Sequence, residues 1–167
     1  MAGASPLLSV RPANAGDVPL IRALIAELAA YERLADAAVA TEDGLREQLF
    51  GAQPAAEVLI GEVDGQAAGF ALFFHNFSTF LGKRGLYLED LFVRPAFRGA
   101  GLGRRLMASL AGIAVERDCG RFEWSVLDWN APAIGFYRGL GATGMDEWTV
   151  QRLEGDALHA LAANGAA

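Results

Sequence analysis

The chain is poor in the residues that build disulfide frameworks and metal centres. It has one cysteine, Cys119, and two histidines, His75 and His159, among 167 residues. A single cysteine excludes an intrachain disulfide framework, and two distant histidines give no spacing typical of metal ligands. We therefore expect no bound metal. Cys119 has no base beside it in sequence and is expected to be structural.

Positive charge and long apolar runs are also scarce. The chain has 14 Lys and Arg against 20 Asp and Glu, a net charge of −6 at pH 7. This balance disfavours nucleic acid as a partner, because binding to a phosphate backbone needs a broad basic face. No apolar run approaches the roughly 18 residues of a membrane span, and residues 1–10 lack the basic start of a secretion signal. These features predict a soluble, cytoplasmic protein that binds neither nucleic acid nor membrane.

Hydrophobic residues, by contrast, are plentiful at 53% of the chain, enough for one compact core. We expect a single domain over 1–167, with disordered tails at 1–6 and 164–167. Periodicity predicts strands at 7–11, 57–63, 66–75, 85–93, 121–127 and 145–153. It predicts helices at 17–33, 41–50, 102–118 and 132–140, and a short one from residue 156. Asp64-Gly65 predicts a two-residue hairpin turn between the second and third strands, and Thr41 is a candidate N-cap of the second helix. The near alternation predicts an α/β fold.

A glycine-rich junction, Arg98-Gly99-Ala100-Gly101-Leu102-Gly103, lies between a predicted strand and a predicted helix. Glycines allow a tight turn, so that backbone N–H groups and the helix N-terminus can converge on an anion. The P-loop pattern fails because Arg104 follows Gly103, and the dinucleotide fingerprint fails because its third glycine would be Arg104 or Leu106. The remaining pattern, R-x-x-G-x-G, is consistent with a phosphate-binding loop or with a plain turn.

Four arginines crowd into the twelve residues around this junction, at positions 94, 98, 104 and 105. A local basic patch on an acidic protein suggests a bound polyanion, and an anion would offset the unfavourable effect of cations at a helix N-terminus. The alternative is a solvated helix start with incidental arginines.

Two adjacent carboxylates, Glu89 and Asp90, interrupt the apolar strand that precedes the junction. Adjacent residues of a strand point to opposite faces, so one carboxylate is expected to line a cleft while the other meets solvent, a cap or an ion pair. Burial near a cleft raises the pKa of a carboxyl toward neutrality, which suits a proton acceptor. A purely structural role remains the alternative for either residue.

A third motif, Trp129-Asn130-Ala131-Pro132-Ala133-Ile134-Gly135-Phe136-Tyr137, opens the helix predicted over 132–140. Asn130 is typical of a helix N-cap and Pro132 of a first turn, while Tyr137 lies on the apolar face of that helix. By itself the motif does not separate a structural role from ligand binding. Earlier in the chain, five phenylalanines in and just after the strand predicted at 66–75 are expected to pack in the core: Phe70, Phe73, Phe74, Phe77 and Phe80.

Taken together, three motifs resemble the acetyl-CoA motifs of the GNAT N-acetyltransferases. They are Glu89-Asp90-Leu91-Phe92-Val93, the glycine-rich junction and the segment from Asn130 to Tyr137. The sequence is most similar to the spermidine/spermine (diamine) acetyltransferase branch. That likeness is carried by Val10-Arg11-Pro12-Ala13, Leu28-Ala29-Ala30-Tyr31-Glu32, Gly82-Lys83 and Leu86-Tyr87-Leu88-Glu89-Asp90.

The resemblance implies a mixed, twisted, largely antiparallel sheet with splayed strands 4 and 5, flanked by helices. It also implies acetyl-CoA as cosubstrate without a metal, and a homodimer. The residues implied to bind the cofactor are Leu91, Phe92 and Val93 for pantetheine, Arg98, Gly99, Ala100, Gly101, Leu102, Gly103 and Arg104 for the pyrophosphate, and Asn130. The residues implied to act in catalysis are Tyr137 as general acid and Glu89 as base through water, with Tyr31, Glu32 and Asp90 near the amine.

The implied reaction is direct transfer of the acetyl group of acetyl-CoA to a primary amine of a small molecule. The acceptor would be a polyamine, a diamine or a lysine-like amine. Two other functions remain open at this point: a non-catalytic acyl-CoA-binding or sensing module, and an acetyltransferase for a protein or peptide amine.

Overall fold

The computed structural model describes residues 5–164, so most of the two predicted tails lies outside the described residues. The chain divides into two compact units, Met1–Ser125 and Val126–Ala167. The first unit contains strands β1 (Leu8–Pro12), β2 (Glu57–Val63), β3 (Gln66–Ser78), β4 (Lys83–Val93) and β5 (Phe122–Trp124). Its helices are α1 (Val18–Tyr31), α2 (Glu42–Phe50) and α3 (Leu102–Glu116). The second unit contains α4 (Ala131–Gly139) and α5 (Gly155–Asn164).

The strands of the first unit form one mixed sheet in the order β1-β2-β3-β4-β5. Neighbours from β1 to β4 are antiparallel, whereas β5 is parallel to β4. The β4–β5 pairing ends at Leu88 opposite Trp124, although β4 continues to Val93. The two strands therefore separate beyond Leu88, and the predicted mixed sheet with splayed strands 4 and 5 is confirmed.

Local turn and cap chemistry explains several element boundaries. Asp64 and Gly65 join β2 to β3 with φ of 50° and 78°, as a two-residue hairpin turn requires. Thr41 accepts a hydrogen bond from the backbone N–H of Gly44 at 3.1 Å and caps α2. Both features agree with the sequence prediction.

Helices cover both faces of the sheet. Ile60 of β2 belongs to an apolar cluster with Ile21 and Leu24 of α1 and with Leu49 of α2. Gly61, the next residue, faces the opposite way, because a Cβ there would lie 3.0 Å from Leu102 Cδ1 of α3. Three layers result, with α1 and α2 on one face and α3 on the other.

Two sequence expectations about apolar residues are wrong. The strand predicted at 145–153 does not form, and Trp148 and Val150 are each 78% exposed. In the described part of the second unit there is no strand with which this segment could form ladder hydrogen bonds. Phe70 and Phe73 are buried as expected, but Phe77 and Phe80 are exposed near the tip of the β3–β4 hairpin, outside the apolar cluster that packs against α1 and α2.

Candidate active site

A β-bulge places the two carboxylates of β4. Leu72 of β3 pairs with Asp90, but the next residue, Phe73, pairs with Leu88, so Glu89 is the extra residue. A bulge interrupts the strict alternation of side chains along a strand. Accordingly, Phe92 joins the cluster under α1 and α2, which includes neither Leu88 nor Leu86. Strict alternation therefore does not hold across Glu89.

The bulge gives the two carboxylates different environments. Glu89 is exposed, whereas Asp90 is half-buried. Burial, and to a smaller extent the negative charges of Glu89 and Glu32, raise the pKa of Asp90 to about 6. Glu32 is also half-buried, and burial raises its pKa. Asp90 and Glu32 thus form an anionic site that a cationic ligand would stabilise.

Tyr31 and Glu32, which the sequence predicts near the amine, lie at the C-terminal end of α1. The ring of Tyr31 is 6.5 Å from that of Phe92, centroid to centroid. The guanidinium carbon of Arg98 lies 4.7 Å from the centroid of the Tyr31 ring, within the range of a cation–π interaction. The end of α1, the end of β4 and the start of the glycine-rich loop therefore meet in one place.

The loop itself has the backbone of an anion site. Gly99 and Gly101 have φ of 83° and 94°, a region that favours glycine. The N–H of Arg98 donates to Pro95 O at 3.2 Å and that of Arg105 to Gly101 O at 3.0 Å. Within residues 5–164, no backbone acceptor lies within hydrogen-bond distance of the six backbone N–H groups of residues 99–104. These donors precede or begin α3, whose N-terminus adds a partial positive charge.

The four arginines do not form one patch. Arg94 is bound to Glu27 of α1, with 2.8 Å between Nη2 and Oε1. Arg98 donates from Nε to Val93 O at 2.8 Å. Arg104 and Arg105 are exposed in the first turn of α3, and neither has an ion-pair partner among the described residues. Arg104 and Arg105 are therefore available to an anion at the start of α3, whereas Arg94 is not. The sequence did not single out Glu27 as the partner of Arg94.

In the second unit, Asn130 and Tyr137 lie at the start and near the end of α4. Asn130 is 7% exposed, and its side-chain oxygen accepts from the N–H of Ala133 at 3.3 Å, so it caps the helix. The half-buried Tyr137 packs beside Phe136 with 5.3 Å between ring centroids. The cofactor contact of Asn130 and the acid role of Tyr137 stay predictions.

Neither a membrane-spanning helix nor a metal-binding cluster is found in the described chain. Among residues 5–164, no helix is both long and apolar enough to cross a bilayer. The same residues contain no group of three or more His, Cys, Asp or Glu side chains placed to hold a metal ion.

Comparison with known proteins places this architecture in a family. The chain is 36% identical to an L-ornithine N5-acetyltransferase of Arabidopsis thaliana, with 91% of this chain and 86% of the relative aligned. It is 38% identical to a thialysine N-epsilon-acetyltransferase of Sus scrofa, covering 92% and 96% of the two chains. An integron cassette protein of V. cholerae superposes with a TM-score of 0.79 at 29% identity, covering 96% and 99%. Residues 22–142 match the acetyltransferase (GNAT) family, and the chain belongs to that family of N-acetyltransferases.

Proposed function

We propose that this enzyme transfers the acetyl group of acetyl-CoA directly to a terminal primary amine of a small diamine or lysine-like molecule. The observation that carries the proposal is the pair of half-buried carboxylates formed by Asp90 of β4 and Glu32 at the end of α1. Ornithine and thialysine, named in the relatives, each carry a terminal amine, as a diamine does. A cationic amine would neutralise part of the negative charge that raises the pKa of Asp90.

The described residues fit acetyl-CoA, which supplies the acetyl group as a thioester. The six backbone N–H groups of residues 99–104, which have no backbone acceptor among residues 5–164, suit the negatively charged pyrophosphate. Arg98 begins this loop, and Arg104 adds a cation in the first turn of α3. On the β5 side, residues 91 and 92 of β4 have no strand partner within residues 5–164, so their backbone groups are open to the amides of pantetheine, whereas Val93 O already accepts from Arg98 Nε. Asn130 completes the proposed cofactor set.

The amine must lose a proton before it attacks. With a pKa near 10.4, only about one alkylamine molecule in 2,500 is neutral at pH 7. Asp90, Glu32 and the Tyr31 hydroxyl would hold the second, distal ammonium and so orient the molecule, and exposed Glu89 would accept the proton of the reacting amine through a water molecule. Tyr137 would give a proton to the departing thiolate and would regain one from the nitrogen as the tetrahedral intermediate collapses, so that the net reaction releases the single proton taken by Glu89.

Thiol release from acetyl-CoA, measured over a panel of amines, tests the proposal. The panel pairs each diamine or lysine analogue with the monoamine of the same chain length, and it includes polyamines and a peptide. We expect turnover with the diamines and lysine analogues and a higher KM for each matched monoamine. Turnover on the peptide alone, or tight CoA binding without turnover on any small amine, would contradict the proposal.

We also propose a single acetyltransferase domain that acts as a cytoplasmic homodimer. The family match over residues 22–142 extends into both compact units, which supports one catalytic domain. The β3–β4 hairpin exposes Phe77, Phe80 and Leu81 by 61%, 99% and 55%, and such clustered apolar exposure is typical of an interface. Sedimentation velocity should show a dimer, and Phe80→Asp should shift it toward monomer.

A further inference from the structure

Two arginine contacts join the end of α1 to the segment between β4 and α3. Glu27 and Tyr31 are four residues apart on α1 and therefore lie on one face of it. Arg94 and Arg98 are also four residues apart, at the two ends of a short 3₁₀ turn, Pro95–Phe97. Arg94 contacts Glu27, and Arg98 contacts Tyr31.

The Arg94 contact is bidentate and extends to a third element. Besides the 2.8 Å contact from Nη2, Nε donates to Glu27 Oε2 at 2.9 Å, and Nη1 donates to Ala67 O of β3 at 3.0 Å. The side chains of Arg94 and Glu27 are only 29% and 38% exposed. A fork of this kind fixes direction as well as distance, which a lysine would not do.

The Arg94–Glu27 contact lies between two halves of the proposed site, the amine half at the end of α1 and the cofactor half at the glycine-rich loop. The apolar cluster holds α1 through Ile21, Leu24 and Leu28, and helix α1 ends at Tyr31. Glu32 lies beyond the helix, and Arg33 has a left-handed φ of 62°. On the other side, the loop with the free N–H groups begins five residues after Arg94.

We propose that Arg94 and Glu27 are positioning residues that hold the amine-binding end of α1 in register with the cofactor loop. This inference rests on the proposed function, because it assigns the two halves to amine and cofactor. Neither residue touches the reacting atoms. They act by holding Glu32 and Tyr31 in place, and a small displacement of such binding groups weakens binding of the amine in the reactive geometry.

If the halves are joined in this way, CoA bound at the loop should reduce motion at the end of α1. Backbone amide exchange reports such local ordering without any need for turnover. The test compares the wild type with Glu27→Gln, which keeps the shape of the side chain, and with Arg94→Met, which keeps most of its length. Exchange is followed in a peptide spanning residues 28–33, with and without CoA, alongside the amine KM and the melting temperature.

The chain supplies a matched control in Glu57→Gln. Arg117, just after α3, binds Glu57 of β2 in the same bidentate way, at 2.5 and 2.9 Å, with exposures of 34% and 47%. Neither residue belongs to the proposed site. Loss of either pair should lower the melting temperature by a similar amount, since both are half-exposed ion pairs.

We expect CoA to slow exchange at residues 28–33 in the wild type and in Glu57→Gln, but not in Glu27→Gln or Arg94→Met. The amine KM should rise roughly tenfold in the latter two, with kcat at saturation changed by less than about threefold. An unchanged amine KM and intact CoA protection in Glu27→Gln would overturn the inference, as would an equal effect in Glu57→Gln. If CoA protects α1 but the wild type acetylates no amine, the proposed function fails while the positioning role stands.

Discussion

Replacement of Gly99 by alanine separates the cost of backbone strain from the loss of a phosphate site, because the chain contains a matched glycine elsewhere. Gly99 has φ of 83° and Gly65, in the β2–β3 turn, has φ of 78°. At both positions an added Cβ meets nothing within 4 Å. Gly99→Ala and Gly65→Ala therefore impose the same conformational penalty without a steric clash in the free protein.

The penalty can be estimated from the backbone angle. A left-handed conformation costs an L-residue about 1–2 kcal/mol, and each kcal/mol lowers the melting temperature of a chain of this size by about 2–4 °C. For CoA, a backbone that relaxes from φ of 83° misaligns N–H donors aimed at phosphate. Each such charge-assisted bond contributes about 1.5–3 kcal/mol, so the loss of one raises Kd roughly 10- to 100-fold.

Calorimetric titration with CoA and thermal melting, done on both variants, give the two quantities separately. We expect the two variants to lose the same amount of stability, and we expect only Gly99→Ala to lose affinity for CoA. If the Kd of Gly99→Ala lies within about threefold of that of Gly65→Ala, the loop does not bind the cofactor through its backbone, and the reasoning is refuted.

Three further predictions concern the proposed chemistry. Tyr137→Phe should lower the single-turnover rate about 10²- to 10⁴-fold with little change in CoA affinity, because it removes only the proton donor; a rate within about threefold of wild type would leave Tyr137 as a packing residue. Glu32→Gln and Asp90→Asn should raise KM for a diamine more than for the matched monoamine, because the second ammonium loses a carboxylate partner that contributes about 1–3 kcal/mol of binding free energy. Equal effects on the two KM values would show that neither carboxylate interacts with the second amine. Folding raises the pKa of Asp90 from 3.8 to about 6, so the folded protein binds more protons between these values and loses stability as pH rises through 6. In urea unfolding at about pH 7.5, the free energy of unfolding of Asp90→Asn should therefore exceed that of wild type by up to about 3 kcal/mol, and this difference should close toward pH 4. A difference that does not change with pH would count against the shifted pKa.

Sequence patterns predicted the parts of the fold that depend on local chemistry. The Asp64-Gly65 turn needs two residues that tolerate positive φ, and Thr41 offers a side-chain oxygen to the first turn of α2. The glycines at 99 and 101 adopt the angles that only glycine takes easily. Each of these signals lies within a few residues of the structure that it determines.

Features that depend on distant partners could not be predicted in the same way. The bulge at Glu89 is visible only in the register between β3 and β4, so alternation within β4 could not predict it. Arg94 seemed available to a ligand, but its partner, Glu27, is 67 residues away in sequence. Segment 145–153 has the composition of a strand, yet a strand also needs a neighbour to accept its hydrogen bonds.

The bulge at Glu89 also limits how this site can change in evolution. One extra residue puts the apolar pattern of β4 out of phase on its two sides, so that Phe92 packs under α1 while Leu88 does not. Deletion of residue 89 would restore alternation and turn Phe92 out of that cluster. Substitution of Glu89 or Asp90 leaves the phase intact. The proposed site can therefore change by replacement of these side chains without loss of the fold, whereas a change of chain length at this point disrupts the packing of β4 under α1.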